Sequence, residues 1–335
     1  MTHDRRTYDC HTHFVPEHFP AYAGKGVNVP WPTCHHLTCG HAQITISGKP
    51  FRKVSAAAWD GARREADMLR AGVDVQVVSP MPELLSYWLP VEDGATMCNF
   101  INEEIGKLVQ RAPCRFVGLG AVPLQYPALA CRVLEALMES GCFRGVEIGS
   151  NINGLPIGDP SFEEFFATAE RLGACIFVHA IRPIGDERLV GPLSLRAVVS
   201  FPCEVSFAIC SAVTGGLFTR HPALRIAFSH GGGAFGAVLP RLAHAWQNIE
   251  AIRSQFEEDP RVIAQRLFYD SLVYDPRQLR HMIEQFGATQ ILAGSDYPFD
   301  IADPEPVDSV LRVVNADQAE LILHTNAENF LGVTP

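Results

Sequence analysis

Two histidines stand a single residue apart near the N-terminus, His11 and His13 in YDCHTHF. Imidazole nitrogens ligate zinc-like metals and titrate near neutrality, so such a pair suits either gripping a cation or moving protons. A lone H-x-H decides neither. Three further residues of fitting chemistry lie far along the chain: His179 in IFVHA, His230 in IAFSHGGG and Asp296 in ILAGSDYPF. Each ends or follows a short apolar run. Taken singly, a strand-end histidine is more often structural than a ligand. Five such residues in equivalent places favour a metal site. Imidazoles with a carboxylate suit zinc, which accepts nitrogen and oxygen donors, and a coordination position left to water would make the site catalytic.

These residues meet only if the fold gathers strand ends. The apolar runs that read as strands are 7–14, 73–80, 116–123, 145–150, 175–180, 225–230, 267–271 and 290–295. Most are nearly continuous in apolar residues, as expected of parallel strands covered on both faces. Helix-length segments alternate with them at 59–71, 92–112, 126–140, 159–172, 201–219, 235–255 and 276–286, and two more, 305–315 and 316–331, close the wall. Asp159-Pro160 and Asp275-Pro276 read as an N-cap followed by proline at the first helical position. Eight β/α alternations predict a (β/α)8 TIM barrel forming one domain over 1–335. A doubly wound sheet is disfavoured because no G-x-G-x-x-G follows an early strand. In a barrel, residues i and i+2 of a strand share a face. His11 and His13 then point together, and all five residues meet at the C-terminal mouth, where barrel enzymes place their chemistry.

Two stretches exceed a minimal barrel. Residues 16–55, rich in Pro, Gly, Thr and His and containing the alternating AQITISG, read as a small β insertion after strand 1, lying over the mouth. Residues 181–200 read as an irregular insertion after strand 5. Within the first, TCHHLTCGH offers Cys34, His35, His36, Cys39 and His41 for a structural zinc, but the spacing matches no established finger and a polar loop is expected. Glycines 231–233 allow a close backbone approach to the site or a tight strand-to-helix turn. Asp270 in FYDS could hydrogen-bond a ligating histidine or serve structure alone, and Trp88 and Phe299 are candidate apolar walls of a pocket.

The five residues in this order, with FSHGGG, GSDYPF and a β insertion directly behind H-x-H, resemble the amidohydrolase superfamily. FRKVSAAAWD, GVDVQVVSP, VPLQ and FRGVEIG extend the resemblance, along nearly the whole chain, to its α-amino-β-carboxymuconate-ε-semialdehyde decarboxylase-like branch. The resemblance implies His11, His13, His179 and Asp296 as metal ligands, and His230 as the group that activates metal-bound water, with Asp296 also catalytic. It implies one Zn2+, with another divalent ion such as Mn2+ as the alternative. The fourth strand holds no lysine to bridge two metals, though its Glu147 could bridge them or simply hydrogen-bond within the barrel. It further implies Arg52 as a substrate-binding residue, and Arg241 as one that reaches a neighbouring subunit, hence a homodimer. Where the family carries Pro-Trp after the strand-5 histidine, this chain has Ala180, Ile181 and Arg182, and Arg182 is a candidate second anion site. A planar guanidinium matches a carboxylate. The expected activity is non-oxidative decarboxylation of a carboxylated semialdehyde from aromatic ring cleavage or of a hydroxybenzoate-type acid. The second expectation is a hydratase or hydrolase of a related unsaturated dicarboxylic acid, and the third a structural metal protein without turnover.

The bulk composition agrees with a small-molecule enzyme. Of 335 residues, 47% are hydrophobic, enough for a sizeable core, and the net charge of −10 gives no attraction for nucleic acid or an anionic membrane. The first residues lack the apolar stretch of a secretory signal, and no run is read as long enough to span a bilayer. The ten cysteines are scattered and read as free thiols of a cytoplasmic protein.

Overall fold

The computed structural model describes residues 5–38, 40–46 and 48–333. Eight strands run parallel, in chain order around one sheet. They are β1 (Tyr8–Phe14), β2 (Val75–Pro80), β3 (Phe116–Gly120), β4 (Phe143–Gly149), β5 (Cys175–His179), β6 (Arg225–Phe228), β7 (Phe268–Asp270) and β8 (Ile291–Leu292). The ring is completed by backbone bonds between β1 and the chain beyond β8: Cys10 N to Ala293 O at 2.8 Å, Asp296 N to His11 O at 2.8 Å and His13 N to Tyr297 O at 2.7 Å. The expected barrel is therefore present.

Its interior holds Tyr8, Cys10, Val75, Val77, Leu119, Cys175, Phe177 and Leu292, packed against Phe330 and Leu331 of the helix Asn326–Leu331. That helix covers the end of the barrel away from the site. Tyr8 and Cys10 have opposite parity to His11 and His13, yet both sets reach the interior. The pairing of β1 with β2 shifts register between Asp9 and Thr12, and such an irregularity re-aims the side chains that follow it.

The outer layer contains α1 (Gly61–Ala71), α2 (Val91–Arg111), α3 (Pro127–Glu139), α4 (Glu163–Leu172), α5 (Phe201–Thr214), α6 (Phe235–Asn248) and α7 (Pro276–Phe286). Asp275 caps α7 as expected, accepting from Arg277 N and Gln278 N. Asp159 instead caps a short 3-10 turn, Pro160–Phe162, and α4 starts only behind it. The segment expected as one helix over 201–219 breaks at Gly215 and Gly216, the latter left-handed at φ 72°. The segment over 235–255 breaks at Ile249.

The stretch 181–200 is less irregular than expected. Arg196–Ser200 is a π-type turn running straight into α5. The continuous helix Arg196–Thr214 is long and apolar enough by length and composition to cross a membrane, which corrects the sequence reading, and half of it is buried against the rest of the fold. Ser200, Glu204 and Ser206 interrupt the apolar run and hid its length.

The insertion after β1 contains a three-stranded antiparallel sheet, Pro32–His36, His41–Ile46 and Lys49–Ser55. Ala42, Ile44 and Val54 are its buried side. The Cys34–His41 stretch is thus the arm and turn of a hairpin rather than a loop, with Cys34 opposite Ile44 and His35 opposite Gln43. Cys39 lies outside the described residues.

Glycines 231–233 form the strand-to-helix turn after β6, all three at positive φ. A Cβ on Gly233 would lie 1.8 Å from the carbonyl oxygen of Pro202 in α5, so this turn can seat against α5 only without a side chain. We expect Gly233→Ala to lower unfolding free energy by about 3 kcal/mol, read as a fall in urea midpoint. An unchanged midpoint would mean that α5 yields freely.

Candidate functional site

Each of the three histidines is oriented by an acceptor on its Nδ1. His11 Nδ1 lies 2.7 Å from Asp270 Oδ2, His13 Nδ1 lies 3.0 Å from Pro80 O, and His179 Nδ1 lies 2.9 Å from Ala180 O. A carbonyl oxygen only accepts, so His13 and His179 carry their proton on Nδ1, and when neutral keep a lone pair on Nε2. His11 is set the same way by a carboxylate. The Nε2 atoms of His11 and His13 face each other at 3.0 Å, and Asp296 Oδ1 lies 3.1 Å from His13 Nε2 and 3.6 Å from His11 Nε2. His179 Nε2 and Asp296 Oδ1 are buried without a hydrogen-bond partner. Buried polar atoms are rarely left so.

Donor atoms of His11, His13, His179 and Asp296 all lie within 4.8 Å of one another. Two donors each about 2.1 Å from one ion stand about 3.0–3.4 Å apart at usual coordination angles. The donor set fits a divalent cation, and these four residues would hold it. The same four are the ligands expected above.

The electrostatics point the same way. Burial alone would raise the carboxyl of Asp296, but the close contact with His13 and the charge of His11 bring it down to about 2. Burial lowers His13, and it lowers His179 well below the usual range with help from the neighbouring histidines. Burial opposes a proton on His11 too, yet the bond to Asp270 and the charges of Asp296, Asp270 and Glu147 outweigh it and raise His11 to about 9. With no metal, the cluster thus retains one positive charge on His11, where a cation would take its place.

Glu147 is fully buried, accepts from Ser79 Oγ at 2.5 Å and is pushed well above the usual carboxyl range by burial. It sits 3.6 Å from the Nδ1 edge of His13, away from the lone-pair side. Its place is in a hydrogen bond within the barrel.

His230 lies beside the cluster, its ring centroid 4.9 Å from that of His179 and 5.5 Å from that of His11. Its Nδ1 is 3.2 Å from Ser229 Oγ, and Phe201 stacks along it. Burial and the charge of His11 lower it to about 4. Asp270 also accepts from the backbone N–H of His230 and of Gly231, both at 2.8 Å. One carboxylate therefore orients His11 and fixes the turn that carries His230. His230, Asp296, Arg182 and Tyr274 all adopt positive φ (55°, 64°, 41° and 57°), a strained conformation that clusters at functional sites.

The cluster opens into a cavity of about 280 Å³ lined by Arg52, Phe201, His230, Tyr274, Asp296 and Phe299 among others. Arg52 reaches in from the insertion, 4.3 Å over the Phe299 ring, which in turn stacks on His13 at 5.1 Å. Arg182 is not in this cavity. It lies over Trp88 at 3.8 Å and lines an adjacent space of about 410 Å³ with Lys49, Glu83, Arg196 and Phe201. Among the described residues Arg182 forms no ion pair, whereas Arg196 pairs with Asp186. Arg241 is exposed on α6 and lines neither cavity of its own chain.

Sequence reading missed Ser79, Phe201, Tyr274 and the fully buried Arg64. The Arg64 guanidinium donates to His13 O, Ala57 O and Thr12 Oγ1, holding the end of β1. Nothing in the charged run GARREAD marks it as inward-facing.

The family model described as amidohydrolase matches residues 8–333. The chain is 33% identical over 334 residues to the 2-amino-3-carboxymuconate-6-semialdehyde decarboxylase of Dictyostelium discoideum, covering 98% of this chain and 92% of that one. The solved structure of IDCase from Metarhizium anisopliae superposes with a TM-score of 0.84 at 18% identity, covering 98% and 97% of the two chains. A dihydroxybenzoic acid decarboxylase from Polaromonas sp. JS666, solved with bound manganese and 2-nitroresorcinol, superposes with a TM-score of 0.75 at 20% identity, covering 83% and 88%. The last two likenesses concern the fold.

Replacing Asp270 by Asn should weaken metal affinity about 10- to 100-fold, because the ring of His11 loses its anionic anchor. Competition with a chromogenic chelator reads this out, and unchanged affinity would mean that Asp270 is structural only.

Proposed function

The chain belongs to the amidohydrolase family, and on that premise we propose a single-domain, metal-dependent decarboxylase that releases CO2 without oxidation from a small carboxylate. The substrate is a carboxylated semialdehyde from aromatic ring cleavage or a hydroxybenzoate-type acid. One observation carries this reading: four buried metal donors face a small cavity into which Arg52 reaches. Hydration or hydrolysis of an unsaturated dicarboxylate lacks comparable support, since the Dictyostelium relative is a decarboxylase.

A divalent cation held by His11, His13, His179 and Asp296 supplies Lewis-acid polarisation of an oxygen in the cavity. Zinc suits three imidazoles and a carboxylate, and manganese is the alternative, being bound in the Polaromonas structure. Arg52 grips a substrate carboxylate. Loss of CO2 leaves the electron pair of the broken C–C bond on the substrate carbon, which must gain a proton. His230 supplies it. The imidazole is neutral at working pH, Nδ1 rests on Ser229, and Nε2 is left to take a proton from solvent water and deliver it to that carbon, so that one solvent proton is consumed for each CO2 released. The nearby Asp296 and Asp270 carboxylates offset the charge while His230 holds the proton.

Arg182, without an ion pair among the described residues and lining one space with Lys49, binds a second anionic group of the substrate. Arg241 completes the site of a partner subunit in a homodimer. Exposed Val198, Val199 and Phe207 leading into and on α5, and Val238 on α6 one turn before Arg241, give that dimer an apolar contact. The described cysteines are all free thiols, which suits a reducing cytoplasm.

The protein reconstituted with zinc or manganese should release CO2 from one member of a panel of carboxymuconate semialdehydes and hydroxybenzoates, and stripping the metal should abolish this. His230→Ala should keep its metal and lose about 10²- to 10⁴-fold in kcat. Full activity would remove His230 from the chemistry. Arg182→Gln should raise KM about tenfold, which is about 1.4 kcal/mol of binding, with kcat little changed. An unchanged KM would end its role in binding.

A further inference from the structure

A second group of metal-ligating side chains stands outside the mouth, at the junction of barrel and insertion. Glu17 and His18 lie just beyond β1, after Val15 and Pro16, and His36 ends the first strand of the insertion. One donor atom from each lies within 4.8 Å of the others, and all three residues are exposed. His36 Nε2 is 3.1 Å from the backbone oxygen of Glu17. A carbonyl can only accept, so this nitrogen carries the proton, and the neutral ring keeps its lone pair on Nδ1. That is the arrangement by which a ligating histidine is usually oriented, one nitrogen to a carbonyl and the other to the ion. The His18 ring lies 5.0 Å from that of His36, and Trp59 supports His36 edge-on at 5.7 Å. Among the described residues Glu17 has no ion-pair partner, so its charge is available. No core packing resists the small rotations that would bring the three donors onto one ion.

We propose that Glu17, His18 and His36 form a second, exchangeable site for a divalent transition metal, completed by water. Two imidazoles and one carboxylate select zinc, copper(II) or nickel over magnesium and calcium, hard ions that prefer oxygen donors. An ion there closes the loop of seventeen residues from 19 to 35 and ties the insertion to the barrel. The sheet so anchored is the one that carries Arg52. The site is separate from the buried cluster and does not depend on the decarboxylase reading.

The test uses the holoenzyme with its buried site already filled. Calorimetric titration with Zn2+ should show one further equivalent, bound at least about tenfold more weakly than the first, because fewer and exposed protein donors hold it. His18→Ala and His36→Ala should each abolish the further equivalent while the first metal and the catalytic rate stay as in the parent. A second readout is trypsin cleavage after the exposed Lys25 within the closed loop. Zn2+ should slow it in the parent and not in His36→Ala. Absence of the further equivalent, or its persistence in both variants, would overturn the proposal.

Discussion

The site rests on one constraint: three imidazoles whose Nδ1 atoms are already committed to acceptors. Asp270, Pro80 O and Ala180 O take the outer nitrogens, so three Nε2 atoms and a carboxylate oxygen converge on one point with too few protons to share. Facing lone pairs repel, and burial removes the water that would relieve them. Only a positive charge satisfies the cluster, a proton on His11 or a metal cation. Much of the surrounding structure serves to supply those acceptors. Pro80 ends β2, Ala180 follows β5 and Asp270 ends β7, so the acceptors that orient the histidines of β1 come from two other strands, and that of His179 from the residue behind it.

Asp270 shows how the constraint spreads. Its carboxylate accepts from His11, from the backbone of His230 and Gly231, and from Leu272 N at 3.1 Å. His11 and His230 are thus registered against one another through a single buried group. The left-handed backbone of His230 and Asp296 is the conformational cost of bringing both side chains over the barrel axis, and the turn of three glycines after β6 absorbs part of that bend.

The barrel was legible because its strands are apolar on both faces and evenly spaced, a pattern that survives errors at element ends. The metal ligands were legible because their chemistry repeats at equivalent places. What stayed hidden depends on geometry across the chain. The register shift in β1 that lets Cys10 and His11 both reach the interior has no local signature. Arg64 is inward-facing only because of where α1 docks. Phe201 and Tyr274 look like any aromatic in a loop or helix start. Arg182 was read as neighbouring the ligand cluster because it follows His179 closely. Its left-handed backbone turns it away onto Trp88 and into the adjoining space.

The closure of the ring between β1 and β8 has a consequence for biosynthesis. His11 and His13 are made well before Asp296, which is the last of the four donor residues in chain order. Strand β8 is only two residues long, and its seam with β1 depends on bonds to chain beyond it. Translation normally folds domains from the N-terminal end, but this cluster cannot assemble by that route. A nascent chain therefore carries two buried-type histidines without their carboxylate partner until synthesis has passed Asp296. Metal capture then reports translation past Asp296, and a chain terminated before that residue lacks the full donor set.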